Sequence, residues 1–217
     1  MGNIRETLRH MEALSGPLPK FVIAEAFDNP IAQFADWLHS AIAAKVHEPH
    51  AMTLSTIDRD GSPDARVLLL KDLDQDGWHF AANATSPKGR QIADHAEVAL
   101  TFYWPAVGRQ TRIKGTAIDL GRQRSAEDFL ARSQGSRAGA LVGRQSEVLE
   151  SPADLEADYR EQLRRVMEQP SLVEPAWTAY AVRPSQVEFW QGSTDRQHQR
   201  LRFSRVGNGW TKQQLRS

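Results

Sequence analysis

The chain has 217 residues, enough for one medium domain to bury a sizeable core without covalent staples. Lys plus Arg and Asp plus Glu both total 27, so the formal net charge is zero and no overall field draws the molecule to nucleic acid or to an anionic membrane; an anion site here is a local affair. Cysteine is absent, which excludes disulfides, thiolate metal ligands and a cysteine nucleophile, and no window approaches the ~18 consecutive apolar residues of a membrane span. The expectation is a soluble, cytoplasmic protein.

Residues 1–29 mix charges, contain Gly16-Pro17-Leu18-Pro19 and show no sustained period, so they read as an arm, mobile or laid across another surface. From Pro30 a single domain is expected to run to residue 217. Its first element is an amphipathic helix after Asp28-Asn29-Pro30, with Ile31, Phe34, Trp37, Leu38, Ile42 and Val46 at helical spacing, ending before Pro49. The period then changes to that of strands. AMTLSTID, ARVLLLKD and WHFAAN, separated by turns at Gly61-Ser62-Pro63 and near Gly77, predict a three-strand antiparallel meander.

Within it, four aliphatics, Val67 to Leu70, stand between Arg66 and Lys71, which predicts a buried strand whose two cations face one anion. Taken alone, the hexamer reads better as an ordinary core strand with solvated terminal charges; the other polar groups along the chain favour the anion reading. Ser86-Pro87 opens a short helix through His95, and VALTFYW and RQTRIKGTAIDL extend the sheet. Helical patterns resume in SAEDFLARS, RAGALVG and PADLEADYREQLRRVMEQ; strands return in WTAYAVRP, QVEFWQG, RLRFSR and WTKQQLR, with Asn208-Gly209 as a hairpin signal. Strands in runs, interrupted by helices, predict a mainly β fold: an antiparallel barrel, closed or partly closed, with peripheral helices.

Rossmann, P-loop and nucleophile-elbow motifs are missing. His47-Glu48-Pro49-His50 sits at a Pro-broken helix end and reads as loop, so no metal site is expected. What remains is a set of polar clusters beside apolar strands: Arg66 and Lys71, Asn83 through Lys88, Arg109-Gln110, Arg144-Gln145-Ser146, and Trp190 through Arg200. They combine guanidinium forks and ammonium groups suited to phosphate with amides suited to a heteroaromatic ring.

In their order and spacing these clusters give the chain a resemblance to the pyridoxine/pyridoxamine 5′-phosphate oxidase family, flavoproteins with an FMN-binding split β-barrel that work as homodimers. The resemblance runs from about Pro30 to the end and is carried by RVLLLK, FAANATSPKG, FYWPAVGRQTRIKG, Arg144-Gln145-Ser146 and EFWQGSTDRQHQRLRF. It implies FMN contacts from Arg66, Val67, Leu68, Leu69, Leu70 and Lys71, from Ala81 and Ala82 through the backbone, and from Lys88, Gln110, Gln145, Ser146, Trp190 and Arg200, contributed by both subunits. It implies a substrate-phosphate position at Lys71, Arg132 and Ser136, with Arg196 and His198 over the reactive carbon as the catalytic pair.

The implied chemistry is oxidation of the C4′ amine or alcohol of pyridoxamine or pyridoxine 5′-phosphate, with molecular oxygen reoxidising the flavin to give pyridoxal 5′-phosphate and hydrogen peroxide. Some positions depart from the family's pattern. Asp128 falls where its phosphate-binding tyrosine belongs, Pro87 stands in place of an FMN-contacting arginine, Ala81-Ala82 replaces Tyr-Thr, and Arg196-Gln197-His198-Gln199-Arg200 alters the spacers of Arg-Leu-His-Asp-Arg. An ionised carboxylate repels a phosphate dianion unless it turns away. The departures keep two alternatives open: a related FMN oxidase of another planar substrate, of the dihydrophenazine type, and a flavin-binding protein without turnover.

Overall fold

The computed structural model describes residues 3–217. Most of its elements follow the sequence patterns in type and order, with the first helix and the third strand added: helices α1 (Ile4–Arg9) and α2 (Pro30–Ala43), then strands β1 (Ala51–Ile57), β2 (Pro63–Leu69), β3 (Asp72–Asp74) and β4 (Gly77–Asn83). Helix α3 (Pro87–Asp94) precedes β5 (Glu97–Trp104) and β6 (Arg109–Asp119). Helices α4 (Gly121–Ala131), α5 (Gln134–Val142) and α6 (Pro152–Glu168) lead to β7 (Trp177–Gln191), β8 (Gln199–Val206) and β9 (Gly209–Gln214). Hydrogen-bonded order in the sheet is β2-β1-β5-β6-β7-β4-β3, with β8 also on β7 and β9 on β8. The β3–β4, β4–β7, β7–β8 and β8–β9 pairs are antiparallel, so the expected antiparallel, mainly β class with helices is what forms. No helix among the described residues is long and apolar enough to cross a membrane.

The chain divides into two compact units, one built from residues up to Ala51 with Thr101–Ile113 and Gln186–Ser217, the other from Met52–Leu100 and Lys114–Ser185. In the first, Asn29 caps α2 by accepting the Ile31 amide at 2.8 Å, Pro30 takes the first helical position, and Lys45 closes the helix in the left-handed region (φ +54°). The buried face of α2 carries Phe34 and Trp37, which meet Phe102 and Phe189 edge-on at 4.7 and 5.1 Å between ring centroids. Each such ring is worth about 1.5–3 kcal/mol of burial, which makes this aromatic cluster the core of the unit. The guanidinium of buried Arg109 lies 4.5 Å over Trp37 and donates from Nε to Gln191 at 2.9 Å.

Part of the arm has structure that periodicity does not announce. Asn3 caps α1, Phe21 packs on Trp37 at 5.0 Å, and Gln33 accepts the Phe27 amide. Gly108, at φ +58°, leaves room for Leu18, whose side chain a Cβ there would meet at 2.9 Å. These contacts are single side chains seated on a core built elsewhere, which is why no repeat marks them.

In the second unit the expected meander is not formed. β1 and β2 pair, but β4 pairs with β7, and the unforeseen β3 folds onto β4 with Asp72 opposite His79. The burial patterns give the reason. β4 is covered on both faces except at Ala81 and therefore needs neighbours on both sides, which the long β7 supplies. β2 alternates, so the buried strand expected at Val67–Leu70 is corrected to a half-covered one: Arg66 and Leu68 face inward while Val67 and Leu69 are exposed. The two strands expected at 177–191 are one, running through Pro184 because Gly115 lets that backbone come close; a Cβ there would lie 2.2 Å from the Arg183 carbonyl. In the first unit, the last hairpin turns at Gly207-Asn208, one residue earlier than expected, with Val206 opposite Gly209 and Gly207 supplying the positive φ.

Candidate active site

The candidate residues fall into two groups, one in each unit. In the second unit Arg66 sits on the inward face of β2, and its guanidinium is held on several sides. Nη1 donates to Thr56 Oγ1 at 2.6 Å and to the Leu54 carbonyl at 3.3 Å; Nη2 pairs with Asp64 and reaches Gln91 Oε1 at 3.1 Å. That leaves Nε–H as the donor not engaged among the described residues.

Helix α3 begins beside it. Ser86 caps the helix by accepting the Gly89 amide, with Pro87 at the first position, and Lys88 donates to Ser86 Oγ at 3.2 Å and to Gln145 Oε1 at 3.3 Å. Burial first, and the nearby positive charge of Arg66 second, push the Lys88 ammonium below the usual lysine range, with Asp64 opposing. Neither hydrogen-bond partner of Lys88 is anionic. Gln145 and Ser146 are exposed, on a stretch where Gly143, Arg144 and Ser146 all take positive φ. Ala81 and buried Ala82 lie opposite Ala179 and Thr178 in the β4–β7 ladder. Val67, Leu69 and Lys71 are exposed; Lys71 lies past the end of β2, with its amide bonded to the His79 carbonyl at 2.8 Å, so the predicted convergence of Arg66 and Lys71 on one anion has no shared hydrogen bond behind it.

Arg132 and Ser136 do come together at the junction of α4 and α5. Arg132 stacks 4.2 Å over the Trp177 ring and donates from Nη2 to the Ser136 carbonyl at 3.1 Å, while its buried Nε has no hydrogen-bond partner among the described residues. Burial lowers its proton affinity and Asp128 raises it. The carboxylate of Asp128 is turned onto the indole of Trp177, accepting Nε1–H at 2.8 Å. Lys71 shares no hydrogen bond with this pair.

In the first unit Trp190 and His198 stand at 4.9 Å between rings, on β7 and at the entry to β8. His198 Nδ1 accepts the Ser193 amide at 3.1 Å, which leaves the imidazole proton on Nε2 as the outward donor. Asp195 accepts from the Ser193 hydroxyl at 2.5 Å and from the Gln197 amide at 2.9 Å, and these bonds hold its carboxyl below the usual range. Arg196, between them, is exposed with φ +67°. Arg200 donates to Glu188 Oε1 from Nη2 at 2.8 Å and from Nε at 3.2 Å, and to the Arg216 carbonyl at 3.0 Å. Glu188 is buried and also accepts from Arg112 at 3.0 Å. Gln110 is half-buried on β6 between Arg109 and Thr111, both buried.

Sequence reading passed over Glu188, Gln91, Thr56 and Trp177, all partners of the predicted residues. A lone carboxylate between Val187 and Phe189 was a usable signal for Glu188; Gln91 and Thr56 carried none, because an amide and a hydroxyl in amphipathic elements look like ordinary surface. Asp72, Asp74 and His79 bring ligand-type atoms within 4.8 Å of one another, with His79 Nε2 bonded to Asp74 at 2.9 Å, a pairing that serves equally as a hydrogen-bonded ion pair.

An antiparallel strand framework thus carries cationic and amide groups suited to phosphate, with Trp190, His198 and Arg200 before its last hairpin. Residues 38–191 match the family described as pyridoxamine 5′-phosphate oxidase, and residues 177–216 match the pyridoxine 5′-phosphate oxidase C-terminal dimerisation region. The chain belongs to the pyridoxamine 5′-phosphate oxidase family and is an oxidoreductase of that type.

Among its relatives, the pyridoxine/pyridoxamine 5′-phosphate oxidase of Rubrobacter xylanophilus is 42% identical over 187 residues, 86% of each chain. The enzyme of the same name from Thermosynechococcus vestitus is 42% identical over 199 residues, covering 88% of this chain and 90% of that one. Of solved structures, PhzG from Burkholderia lata 383, in complex with tetrahydrophenazine-1-carboxylic acid, superposes with a TM-score of 0.87 at 31% identity, covering 93% of this chain and all of that one. A pyridoxamine 5′-phosphate oxidase-related, FMN binding protein from Nostoc punctiforme shares the fold, with a TM-score of 0.70 at 16% identity over 86% of this chain and 96% of that one.

Proposed function

We propose that this chain is an FMN-dependent oxidase of pyridoxamine and pyridoxine 5′-phosphate that acts as a cytoplasmic homodimer with shared flavin sites. The observation that carries the reading is the half-buried pair Arg66 and Lys88 beside the capped start of α3, in which Lys88 is desolvated and has only neutral hydrogen-bond partners. Two half-buried cations with one carboxylate, Asp64, between them are stabilised by a dianion, and the donor set, Arg66 Nε–H with the Lys88 ammonium, suits a terminal phosphate. The residues present therefore fit FMN.

When bound, FMN supplies a two-electron acceptor that molecular oxygen can reoxidise to give hydrogen peroxide. The protein's part is alignment. Arg66, Lys88 and the exposed Gln145-Ser146 would hold the flavin's phosphate end, Trp190, Gln110 and Arg200 its ring end. Arg132 and Ser136, with Lys71, would take the substrate phosphate. Arg196 would hold the substrate ring, and His198, with its proton on Nε2, would donate a hydrogen bond to the substrate. The C4′ carbon gives up a hydride and its heteroatom a proton; an alcohol becomes the aldehyde directly, and an amine becomes an imine that water converts to aldehyde and ammonia.

A second reading, an FMN oxidase of a planar aromatic acid, is favoured by Asp128, which partly offsets the charge of Arg132 where a phosphate dianion would bind, and by the ligand named for PhzG. The experiment is anaerobic mixing of the FMN-loaded protein with pyridoxamine 5′-phosphate. Bleaching of the flavin band that recovers in air is expected. Bleaching by a dihydrophenazine acid alone would favour the second reading, and bleaching by neither would leave a flavin-binding protein without turnover.

A further inference from the structure

We propose that Gln91 is a positioning residue that sets Arg66 against the start of helix α3 and so shapes the anion site the two cations form. This rests on the reading of Arg66 as a ligand of the flavin phosphate. Gln91 projects from α3 and is buried, and its side-chain amide uses its full hydrogen-bonding capacity. Oε1 accepts from Thr56 Oγ1 at 2.5 Å and from Arg66 Nη2 at 3.1 Å; Nε2 donates to Asp58 Oδ1 at 2.5 Å and to Asp64 Oδ2 at 3.1 Å.

One neutral group thus ties the helix that carries Lys88 to the hairpin that carries Arg66. It also separates charges that would otherwise rearrange. Its donor side is taken by two carboxylates and its acceptor side by a guanidinium and a hydroxyl, so no other common side chain of that length satisfies all four partners. With Gln91 in place, Arg66 has both Nη atoms committed, which keeps Nε–H for an anion. Without it, Arg66 Nη2 keeps Asp64 alone and the guanidinium is free to swing toward Asp58. Thr56 acts in the same frame, accepting from Arg66 while donating to Gln91.

A double-mutant cycle on the full chain, read as FMN affinity by flavin fluorescence quenching, tests this. R66A is expected to weaken FMN binding about 100-fold, the loss of a charge-assisted contact to phosphate. Q91M is expected to weaken it at least about tenfold alone but less than about twofold in the R66A background, since its effect passes through Arg66. Q91E, which sets a third carboxylate against Asp58 and Asp64, should be at least as damaging as Q91M and be partly rescued by D64N. Multiplicative losses, or Q91M leaving FMN affinity unchanged while R66A weakens it, would overturn the positioning role and leave the flavin-phosphate reading standing. An R66A protein that binds FMN as tightly as the parent would overturn that reading and this proposal with it. Thermal unfolding of each apo variant separates loss of fold from loss of site, and if Q91M does not fold, Thr56→Val carries the same cycle.

Discussion

Lys88 and Gln145, 57 positions apart in the chain, meet through a hydrogen bond of 3.3 Å from the lysine ammonium to the glutamine carbonyl oxygen. An amide is a weak partner for a half-buried cation, and neither of the hydrogen-bond partners of Lys88 carries negative charge.

The first prediction follows from that deficit. The folded-state proton affinity of Lys88 is depressed by burial and by Arg66, so the folded apo-protein loses this proton at lower pH than the unfolded chain does. Lys88 therefore opposes folding at neutral pH, and apo stability should rise with pH through a window below the ordinary lysine value, while FMN affinity falls in the same window. Lys88→Met should abolish both trends, raise the apo melting temperature, and weaken FMN about 10- to 100-fold. Melting curves and flavin titrations across the alkaline range would show it; a variant less stable than the parent would contradict the assignment.

Glu188 is a buried carboxylate between Arg112 and Arg200 whose side chains are 47% and 29% exposed. Removing one partner of a fully buried ion pair costs about 3–5 kcal/mol; because both arginines reach water, Glu188→Ala should lose about 2 kcal/mol in urea unfolding. Glu188→Gln should lose less stability yet still loosen Arg200, seen as faster FMN release. Equal stability of Glu188→Ala and parent would mean that the arginines are held by other groups.

Substrate choice is expected to turn on Asp128. Its carboxylate is engaged by Trp177 Nε1 and offsets part of the Arg132 charge. Asp128→Tyr removes the negative charge and adds a phenol donor, so kcat/KM for pyridoxamine 5′-phosphate should rise about tenfold or more, mainly through KM. No change in KM would place the substrate phosphate elsewhere.

Asp195 pins the loop that carries Arg196 in the left-handed region, through the Ser193 hydroxyl and the Gln197 amide. Asp195→Ala should lower kcat/KM by about tenfold with FMN affinity unchanged, since the bonds lost organise the loop of Arg196, proposed to face the substrate and not the cofactor. Because these bonds hold the carboxyl below the usual range, the loop should stay pinned down to a pH below that range and loosen as pH falls through the depressed value. Steady-state kinetics beside flavin titration separate the two effects; a parallel loss of FMN would assign Asp195 to the flavin site.

Element types were legible in the chain because period and capping are local. Ser86-Pro87 and Asn29-Pro30 open α3 and α2 as their chemistry requires, and the alternation around Thr111, Ile113 and Ala117 survives intact in β6. Pairing was not legible. Nothing within WHFAAN says that its partner begins at Trp177, and the break at Pro184 disguises one 15-residue strand as two. Of the site, the polar clusters and the residues in them could be read directly, but not Gln91, Thr56 or Glu188, whose importance lies wholly in what they touch.

By itself, then, the amino-acid sequence determined the type of most strands and helices, that no field of net charge directs the molecule, and which cations, amides and aromatics stand in family order along it. Tertiary structure alone decided that Arg66 points inward while Val67 and Leu69 face solvent, that Lys88 has only neutral hydrogen-bond partners, and that Asp128 is bonded to Trp177. The physical reason is range. Propensity and periodicity act over a few residues, whereas desolvation and hydrogen-bond partnership depend on groups that the fold brings together from tens of positions away.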